Sequence, residues 1–216
     1  MSMTKSYSDP QLGEVLFNKR KGLSRMSIRV HPVKGVTVSV PYIVPFAAAL
    51  AFFNLKRDWV LQTVARQKER YKDVPKADPG QVEALRKQAK AELPGRLKEL
   101  ADRYGFVYNR VAIKHNVTNW GSCSTKSNIN LNLNIVRLPR ALRDYILLHE
   151  LCHLRHHDHG QAFHLLLEHV CTDNLLRLCD EGDLQAKETA KASAVSKARY
   201  PIDYVCTKAI KKYPLI

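Results

Sequence analysis

The chain has 216 residues, of which 45% are hydrophobic and 25% are charged. This length and composition are typical of a folded protein with a real hydrophobic core, so a disulfide-stapled miniprotein and a disordered chain are both excluded. The longest apolar run, Val44 to Leu55, is interrupted by Pro45 and Asn54 and is far shorter than the roughly 20 residues needed to span a bilayer. We therefore expect that the chain is not an integral membrane protein.

The net charge is +15 at pH 7, and the excess lies mostly in the first half of the chain. Residues 1–105 carry 20 Lys and Arg against 10 Asp and Glu, whereas residues 106–216 carry 15 against 10. A positive field of this size attracts nucleic acid or anionic substrates, and salt weakens that attraction. A solvated basic surface explains the excess equally well. Nucleic acid is therefore a partner that net charge alone suggests.

Cysteine usage and the first residues indicate the compartment. The five cysteines are an odd number and form no CxxC pair, which favours free thiols over a disulfide framework or a cysteine-based zinc site. The first residues do not show the basic segment and apolar stretch of a secretory signal. We expect a cytoplasmic protein.

The first third of the chain predicts two strands followed by a helix. Short apolar runs predict strands at Ser27–Val30 and Val36–Val40, joined by a turn at His31–Gly35. A helix is then predicted from Pro45 to about Tyr71, with an apolar stripe on one face.

A segment with two prolines and a glycine, Val74–Gly80, predicts a boundary after this helix. It divides the chain into an N-terminal unit of strands plus a helix (1–75) and a catalytic core (76–182). Beyond the core we expect a basic C-terminal extension (183–216).

The predicted core begins with a helix over about Gln81–Tyr104 and continues with strands at Val107–Lys114 and Asn128–Val136. A further helix begins near Pro139 and continues through a group of histidines, and another spans about Gln161–Leu178. The result is a mixed α+β arrangement.

Seven of the nine histidines lie between positions 149 and 169, and they include the motif His149-Glu150-Leu151-Cys152-His153. Residues four apart lie on one face of a helix, so His149 and His153 can bind the same Zn²⁺ ion. Zinc lowers the pKa of a bound water toward about 7, and a neighbouring carboxylate can take the proton. The HExxH motif therefore predicts a zinc hydrolase with Glu150 as the general base.

A catalytic zinc ion takes three protein ligands and leaves one position for water. His159 is the favoured third ligand, because Gly160 follows it and allows the chain to turn under the ion. Glu168 and Asp173 are the alternatives, since some zinc hydrolases take a carboxylate from a later helix. His164 is predicted on the helix surface or beside the ligands. We expect one zinc ion per chain.

Two further segments have both a functional and a structural interpretation. In the run from Trp120 to Cys123, a tight turn at Gly121 could bring Ser122 or backbone N–H groups to an oxyanion, whereas a core anchor is the favoured role of Trp120. The alternating strand carries Asn130, Asn132 and Asn134 on one face. That face is predicted to lie near the substrate cleft or to meet solvent.

Several motifs together resemble the YgjP-like group of predicted zinc metallopeptidases, which is similar to the SprT-like and WLM proteases. The resemblance runs from about Pro45 to Leu176 and is strongest from Asn119 to Phe163. It implies a zincin-like α+β core, a small β-sheet packed on a metal-bearing helix, with His149, His153 and His159 as ligands and Glu150 as general base. It rests on the motifs Trp120-Gly121-Ser122-Cys123-Ser124, Asp144-Tyr145, His149-Glu150-Leu151-Cys152-His153-Leu154, His159-Gly160 and Phe163.

The chain departs from the family pattern at three positions. Asn119 stands where the family usually has Arg, Asp158 where it commonly has Asn, and His164 where it commonly has Trp. These changes leave the metal site intact but leave the substrate preference open. Asp158 could orient a ligand histidine. The candidates for contacting substrate or supporting the ligands are Trp120, Ser122, Asn132 and Asp158.

The favoured function is a zinc-dependent peptidase in which Glu150 activates water and passes its proton to the leaving amine. Two alternatives remain. One is a metal-dependent nucleotide phosphohydrolase, although such enzymes generally use carboxylate-bound Mg²⁺. The other is a SprT-like protease that acts on proteins associated with nucleic acid, which rests on net charge alone.

Overall fold

The chain divides into two compact units, Met1–Val74 and Pro75–Ile216. The structure, a computed structural model, describes residues 3–32, 34–72 and 78–215. Most of the boundary segment predicted at 74–80 lies outside the described residues. The domain bounds predicted from the sequence, 1–75, 76–182 and 183–216, therefore stay a prediction.

The first unit contains one sheet and two helices among its described residues. Its sheet has the order β1-β2-β4-β3, in which β2 and β4 are parallel and the other two pairs are antiparallel. The first helix buries Phe53 against side chains of two neighbouring strands. These side chains are Val15 and Phe17 of β2 and Val38 of β4. The elements are β1 (Met3–Asp9), β2 (Gly13–Arg20), β3 (Ser27–His31), β4 (Gly35–Pro41), α1 (Phe46–Leu55) and α2 (Arg57–Tyr71).

The two predicted strands of this unit, now β3 and β4, are confirmed, but the single predicted helix is wrong. The helix is interrupted at Lys56, whose backbone leaves the helical region with φ −104° and ψ 5°. Its N–H bonds to the carbonyl of Phe53, three residues back, instead of continuing the four-residue ladder. Strands β1 and β2 were not predicted, because their sequences mix polar and apolar residues with only short apolar runs.

The second unit contains a three-stranded sheet and five helices among its described residues. Its sheet has the order β5-β7-β6, with β7 parallel to β5 and antiparallel to β6. The elements are α3 (Pro79–Tyr104), β5 (Arg110–Lys114), β6 (Gly121–Cys123), β7 (Asn128–Asn132), a 3₁₀ turn (Leu133–Arg137), α4 (Arg140–Cys152), α5 (Gln161–Asp180), α6 (Leu184–Ala194) and α7 (Pro201–Ile210).

This unit has the predicted α+β class, in which a small sheet packs on the helix that carries the HExxH motif. Ile129 and Leu131 of β7 are fully buried, as are Leu147, Leu148 and Leu151 of α4. Strands β6 and β7 both contact α4. Burying these side chains removes apolar surface from water and fixes the sheet against α4.

The long alternating strand is shorter than predicted. It was expected to reach Val136, but it ends at Asn132, whose side-chain oxygen accepts the backbone N–H of Asn134 at 3.0 Å and starts the 3₁₀ turn. The Asn132 amide also donates to the carbonyls of Asn116 (2.6 Å) and Asn119 (2.8 Å). Asn132 and Asn134 are only 1% and 0% exposed. Both side chains therefore lie away from solvent, and the predicted role of Asn132 near substrate or beside the ligands stays a prediction.

Residues 183–216, predicted as a C-terminal extension, supply two helices to the core of the second unit. Ala186 of α6 is buried in the same apolar cluster as α4 and α5, and Ile202, Cys206 and Ile210 of α7 join it. None of the helices in the described part of the chain is both long and apolar enough to cross a membrane.

Candidate metal centre

The three histidines expected to bind metal lie close together in the structure. Helix α4 carries His149 and Glu150 in its last turn, and His153 caps its C-terminal end. The chain then turns, and His159 returns just before α5 begins at Gln161. One ligand atom from each of the three histidines lies within 4.8 Å of the others.

The spacing of these nitrogens suits a small tetrahedral cation. The Nε2 atoms of His149 and His159 are 3.1 Å apart. Two nitrogen ligands held at about 2.0–2.1 Å in tetrahedral geometry lie roughly 3.3 Å from each other. A set of three imidazole nitrogens is also a donor set that zinc prefers. The residues present therefore fit a zinc ion.

The ring of His153 is held in one orientation by the backbone that follows it. Its Nδ1 lies 3.0 Å from the carbonyl oxygen of His156. Since a carbonyl can only accept, Nδ1 carries the proton and Nε2 keeps its lone pair for a metal. The turn after α4 thus selects the tautomer of a candidate ligand.

Phe163 forms the apolar wall against which the three histidines pack. Its side chain is fully buried, and its ring centroid lies 4.6–5.0 Å from those of His149, His153 and His159. It stacks on His153 with an interplanar angle of 27°. The wall limits the rotation of the imidazoles and excludes water from one side of the centre.

Burial keeps His149 and His153 in the form that binds metal. Desolvation is the largest cause that lowers the pKa of His149 to about 4, and the neighbouring His153 and His159 lower it further. Burial also lowers the pKa of His153. A neutral imidazole is the form with a free lone pair, so no proton competes with a cation at neutral pH.

Glu150, the residue after His149, has a carboxyl group that is buried without a compensating partner among the described residues. It is 5% exposed, and burial raises its pKa to about 8. Its Oε2 has no hydrogen-bond partner among the described residues. Buried polar atoms are rarely left unpaired, so this oxygen indicates a site where a water molecule, an ion or a substrate group completes the bonding.

Gly121 of β6 provides the space that the Glu150 carboxylate occupies. A Cβ atom at this position would lie 2.5 Å from Oε1 and 2.7 Å from Cδ of Glu150. Asn119 holds this strand in place, because its side-chain amide donates to the Gly121 carbonyl at 2.8 Å. From the sequence, Gly121 was assigned only to a tight turn, since the contact with Glu150 requires the packing of β6 on α4.

We expect Gly121→Ala to lower kcat on the order of 100-fold, because the new methyl group displaces the carboxylate and a misplacement of about 1 Å can cost that much. Gly95→Ala is the matched control, since a Cβ atom added at this position of α3 would have nothing within 4 Å of it. Hydrolysis of peptides, the activity that the HExxH motif predicts, is measured for the two purified variants together with their zinc content. Equal activity in both variants would contradict it.

None of the remaining candidate residues hydrogen-bonds to one of the three histidines within the described ranges. Ser122 is half-buried, and its hydroxyl accepts from the Asn130 amide at 3.1 Å. Trp120 packs against the core, in agreement with its favoured structural role. Asn132 holds the loop before β6, as described above. Asp158 is exposed and accepts the N–H of Gly160 at 3.3 Å, so its carboxylate contacts backbone and not a ligand histidine.

The two alternative third ligands are engaged elsewhere. Glu168 accepts the backbone N–H groups of Ile202 (2.8 Å) and Asp203 (3.2 Å) and so caps the start of α7. Asp173 accepts the hydroxyl of Tyr104 at 2.7 Å. Neither belongs to the cluster of potential metal ligands.

A polar network that was not predicted from the sequence borders the histidines. Asp203 of α7 lies 3.0 Å from Nδ1 of His164 and accepts the hydroxyl of Tyr145 at 2.5 Å. The ring of Tyr145 is 6.1 Å from that of His149, and the ring of His164 is 6.3 Å from that of His159. The helical spacing of Tyr145 and His149 was a usable signal, but nothing local marked Asp203.

Comparison with known proteins gives two matches. Residues 81–176 match the family model described as YgjP-like, metallopeptidase domain. This confirms the resemblance over that range, although the match begins later than the expected Pro45. A solved structure, the metallopeptidase zymogen of Pyrococcus abyssi abylysin, is 24% identical over 43% of this chain and 95% of that chain, with a TM-score of 0.33. No curated protein matches the chain.

Proposed function

We propose that this chain, which carries a YgjP-like metallopeptidase domain over residues 81–176, is a zinc-dependent peptidase of the HExxH type with one zinc ion per chain. The family supports a metal-dependent peptidase in general, and its substrates are peptides or proteins. The zinc ion and the roles of the individual residues are our inference from the site.

One observation carries the proposal. Three histidine nitrogens, from His149, His153 and His159, converge, and Glu150, the residue after His149, has a buried carboxyl group with an oxygen that is unpartnered among the described residues. Three imidazoles leave a fourth position open on a tetrahedral ion, as catalytic zinc sites require. Glu150 is the carboxylate next to that position.

The residues divide the chemistry between them. When bound, zinc would polarise the scissile carbonyl and make an attacking water molecule more acidic. Glu150 takes a proton from that water on its free Oε2 and passes it to the leaving amine. In the metal-free protein, the apolar surroundings raise the pKa of Glu150 to about 8, so a carboxyl group that has taken up a proton there can hold it until it is passed on.

The donor set favours this chemistry over nucleotide hydrolysis. Mg²⁺-dependent phosphohydrolases bind their metal through carboxylates. Within the described ranges, the group of potential ligands that converges contains three histidines and no carboxylate. The alternative of a protease acting near nucleic acid still rests on net charge alone.

The proposal predicts that the purified protein binds about one zinc ion per chain and releases fragments from a peptide library. A chelator is expected to abolish cleavage, and added zinc to restore it. His153→Ala should lose both zinc and cleavage, because it removes a ligand whose tautomer is fixed by the backbone. Metal analysis and mass spectrometry of the digests measure these outcomes.

His169→Ala is the control, since His169 is absent from the converging ligand group. It should retain zinc and cleave the same peptides. A zinc-loaded protein that cleaves no peptide, or that instead releases phosphate from nucleoside triphosphates with Mg²⁺, would contradict the proposed function.

A further inference from the structure

A groove of about 510 Å³ runs along one face of α7 in the second unit. Tyr200, Tyr204, Lys208 and Lys211, which line it, are spaced three or four residues apart. This spacing places them on one face of the helix. Arg199, from the segment before α7, completes the basic side of the groove.

The groove begins next to the candidate metal centre. Asp203 lines it and also contacts His164 and the hydroxyl of Tyr145. Tyr145 lies one helical turn before His149, with ring centroids 6.1 Å apart. The end of the groove at Asp203 therefore lies within two side-chain contacts of His149.

The groove has an excess of positive charge. Arg199, Lys208 and Lys211 are exposed, and none of them forms an ion pair with another described residue. The carboxylate that lines the groove, Asp203, already accepts the Tyr145 hydroxyl and lies against His164. The lining thus carries three cations and one anion, and that anion is already engaged. Its net positive charge is complementary to a ligand that carries a carboxylate.

The aromatic residues give the groove a fixed wall. Tyr200 stacks on His164 with ring centroids 4.8 Å apart and an interplanar angle of 15°. The Arg199 guanidinium lies over the Tyr200 ring at 5.4 Å, which holds one cation at the rim. Tyr204 is more than half exposed and offers an apolar surface for the stem of a long side chain.

We propose that this groove is the specificity subsite of the peptidase and that it binds the side-chain carboxylate of Asp or Glu near the scissile bond. This inference rests on the proposed function and extends it to the class of substrate. Lys208 and Lys211 pair with the carboxylate, while Tyr200 and Tyr204 pack against the rest of the side chain.

The test compares quenched fluorescent peptides that differ only by Glu or Gln at positions flanking the bond, all with amidated C-termini. Wild type should cleave the Glu peptides with the higher kcat/KM. In Lys208→Gln/Lys211→Gln the ratio of the two kcat/KM values should fall by about 3- to 10-fold, since exposed ion pairs contribute modestly. Lys212→Gln is the matched control, because Lys212 is an exposed neighbour that does not line the groove.

Two outcomes would overturn the subsite: equal cleavage of Glu and Gln peptides by wild type, or an equal fall of the ratio in the Lys212→Gln control. Binding of the same labelled peptides to the zinc-loaded protein, measured by fluorescence anisotropy, separates this proposal from the proposed function. Preferential binding of Glu peptides without cleavage would support the groove as a binding site and reject the peptidase. Cleavage without a preference for Glu peptides would support the peptidase and reject the groove as its specificity subsite.

Discussion

Glu150→Gln should lower kcat for peptide hydrolysis by about 10²- to 10⁴-fold, the usual contribution of a positioned proton-transfer group. Glutamine has nearly the same shape as glutamate, so it fills the space left by Gly121, but it cannot take a proton from water. The three histidines remain in place. Zinc content and peptide binding should therefore stay close to those of wild type while turnover is lost.

Stability measurements distinguish this loss from unfolding. Burial raises the pKa of Glu150 from its ordinary 4.5 to about 8 in the metal-free protein. The folded state therefore holds this proton more tightly than the unfolded state, so stability falls as pH rises from about 4.5 to about 8. Glu150→Gln removes that dependence, and the metal-free variant should equal or exceed wild type in stability at pH 8.

Chemical denaturation of both metal-free proteins at pH 5 and pH 8 measures the difference. A variant that is less stable than wild type at pH 8 would show that glutamine does not fit the site, and its loss of turnover would then carry no mechanistic meaning. A variant that is stable, loaded with zinc and still fully active would reject Glu150 as the general base.

The convergence of the three histidines could be predicted from the sequence because it depends on local spacing. His149 and His153 lie four residues apart on one helix, so the period of the helix alone places them together. Placing His159 near these two residues required only a turn of the chain, which Gly160 allows. For the same reason, the α+β class followed from the order of periodic segments.

What the sequence could not provide depends on packing between distant segments. The close approach of Gly121 to Glu150 exists because β6 packs on α4. Asp203 reaches Tyr145 only because α7 folds back onto the core. The alternating asparagines misled the strand prediction because their side chains bond to backbone groups, which periodicity cannot distinguish from a solvated face.

Asp144→Ala should destabilise the second unit by about 3–5 kcal/mol, the typical result of removing one partner of a buried ion pair. Asp144 is 0% exposed and accepts hydrogen bonds from Arg96 at 2.9 and 2.5 Å and from Asn174 at 3.0 Å. These contacts join α3 and α5 to α4, the helix that carries His149. The hydrogen bond and charge of Asp144 also raise the pKa of Arg96, so the guanidinium stays charged.

A double replacement separates the charge from the packing. In Arg96→Met/Asp144→Leu both ions are removed together, and buried pairs replaced by apolar residues of similar volume are often as stable as the original. We expect this variant to recover most of the stability that Asp144→Ala loses. Denaturant midpoints for the wild type, Arg96→Met, Asp144→Leu and the double variant complete the cycle, with Asp144→Ala measured beside them.

The cycle also decides what the network does for the centre. Because Asp144 lies on the same helix as His149, a loosened α4 should weaken zinc binding in Asp144→Ala, and the apolar pair should restore zinc along with stability. If stability returns in the double variant but zinc binding does not, the ion pair fixes the orientation of α4 beyond simple packing. A loss of less than about 1 kcal/mol of stability in Asp144→Ala would be typical of an exposed ion pair. It would mean that the Arg96 side chain, which is 16% exposed, is accessible enough for water to replace the carboxylate, and the buried-pair interpretation would be wrong.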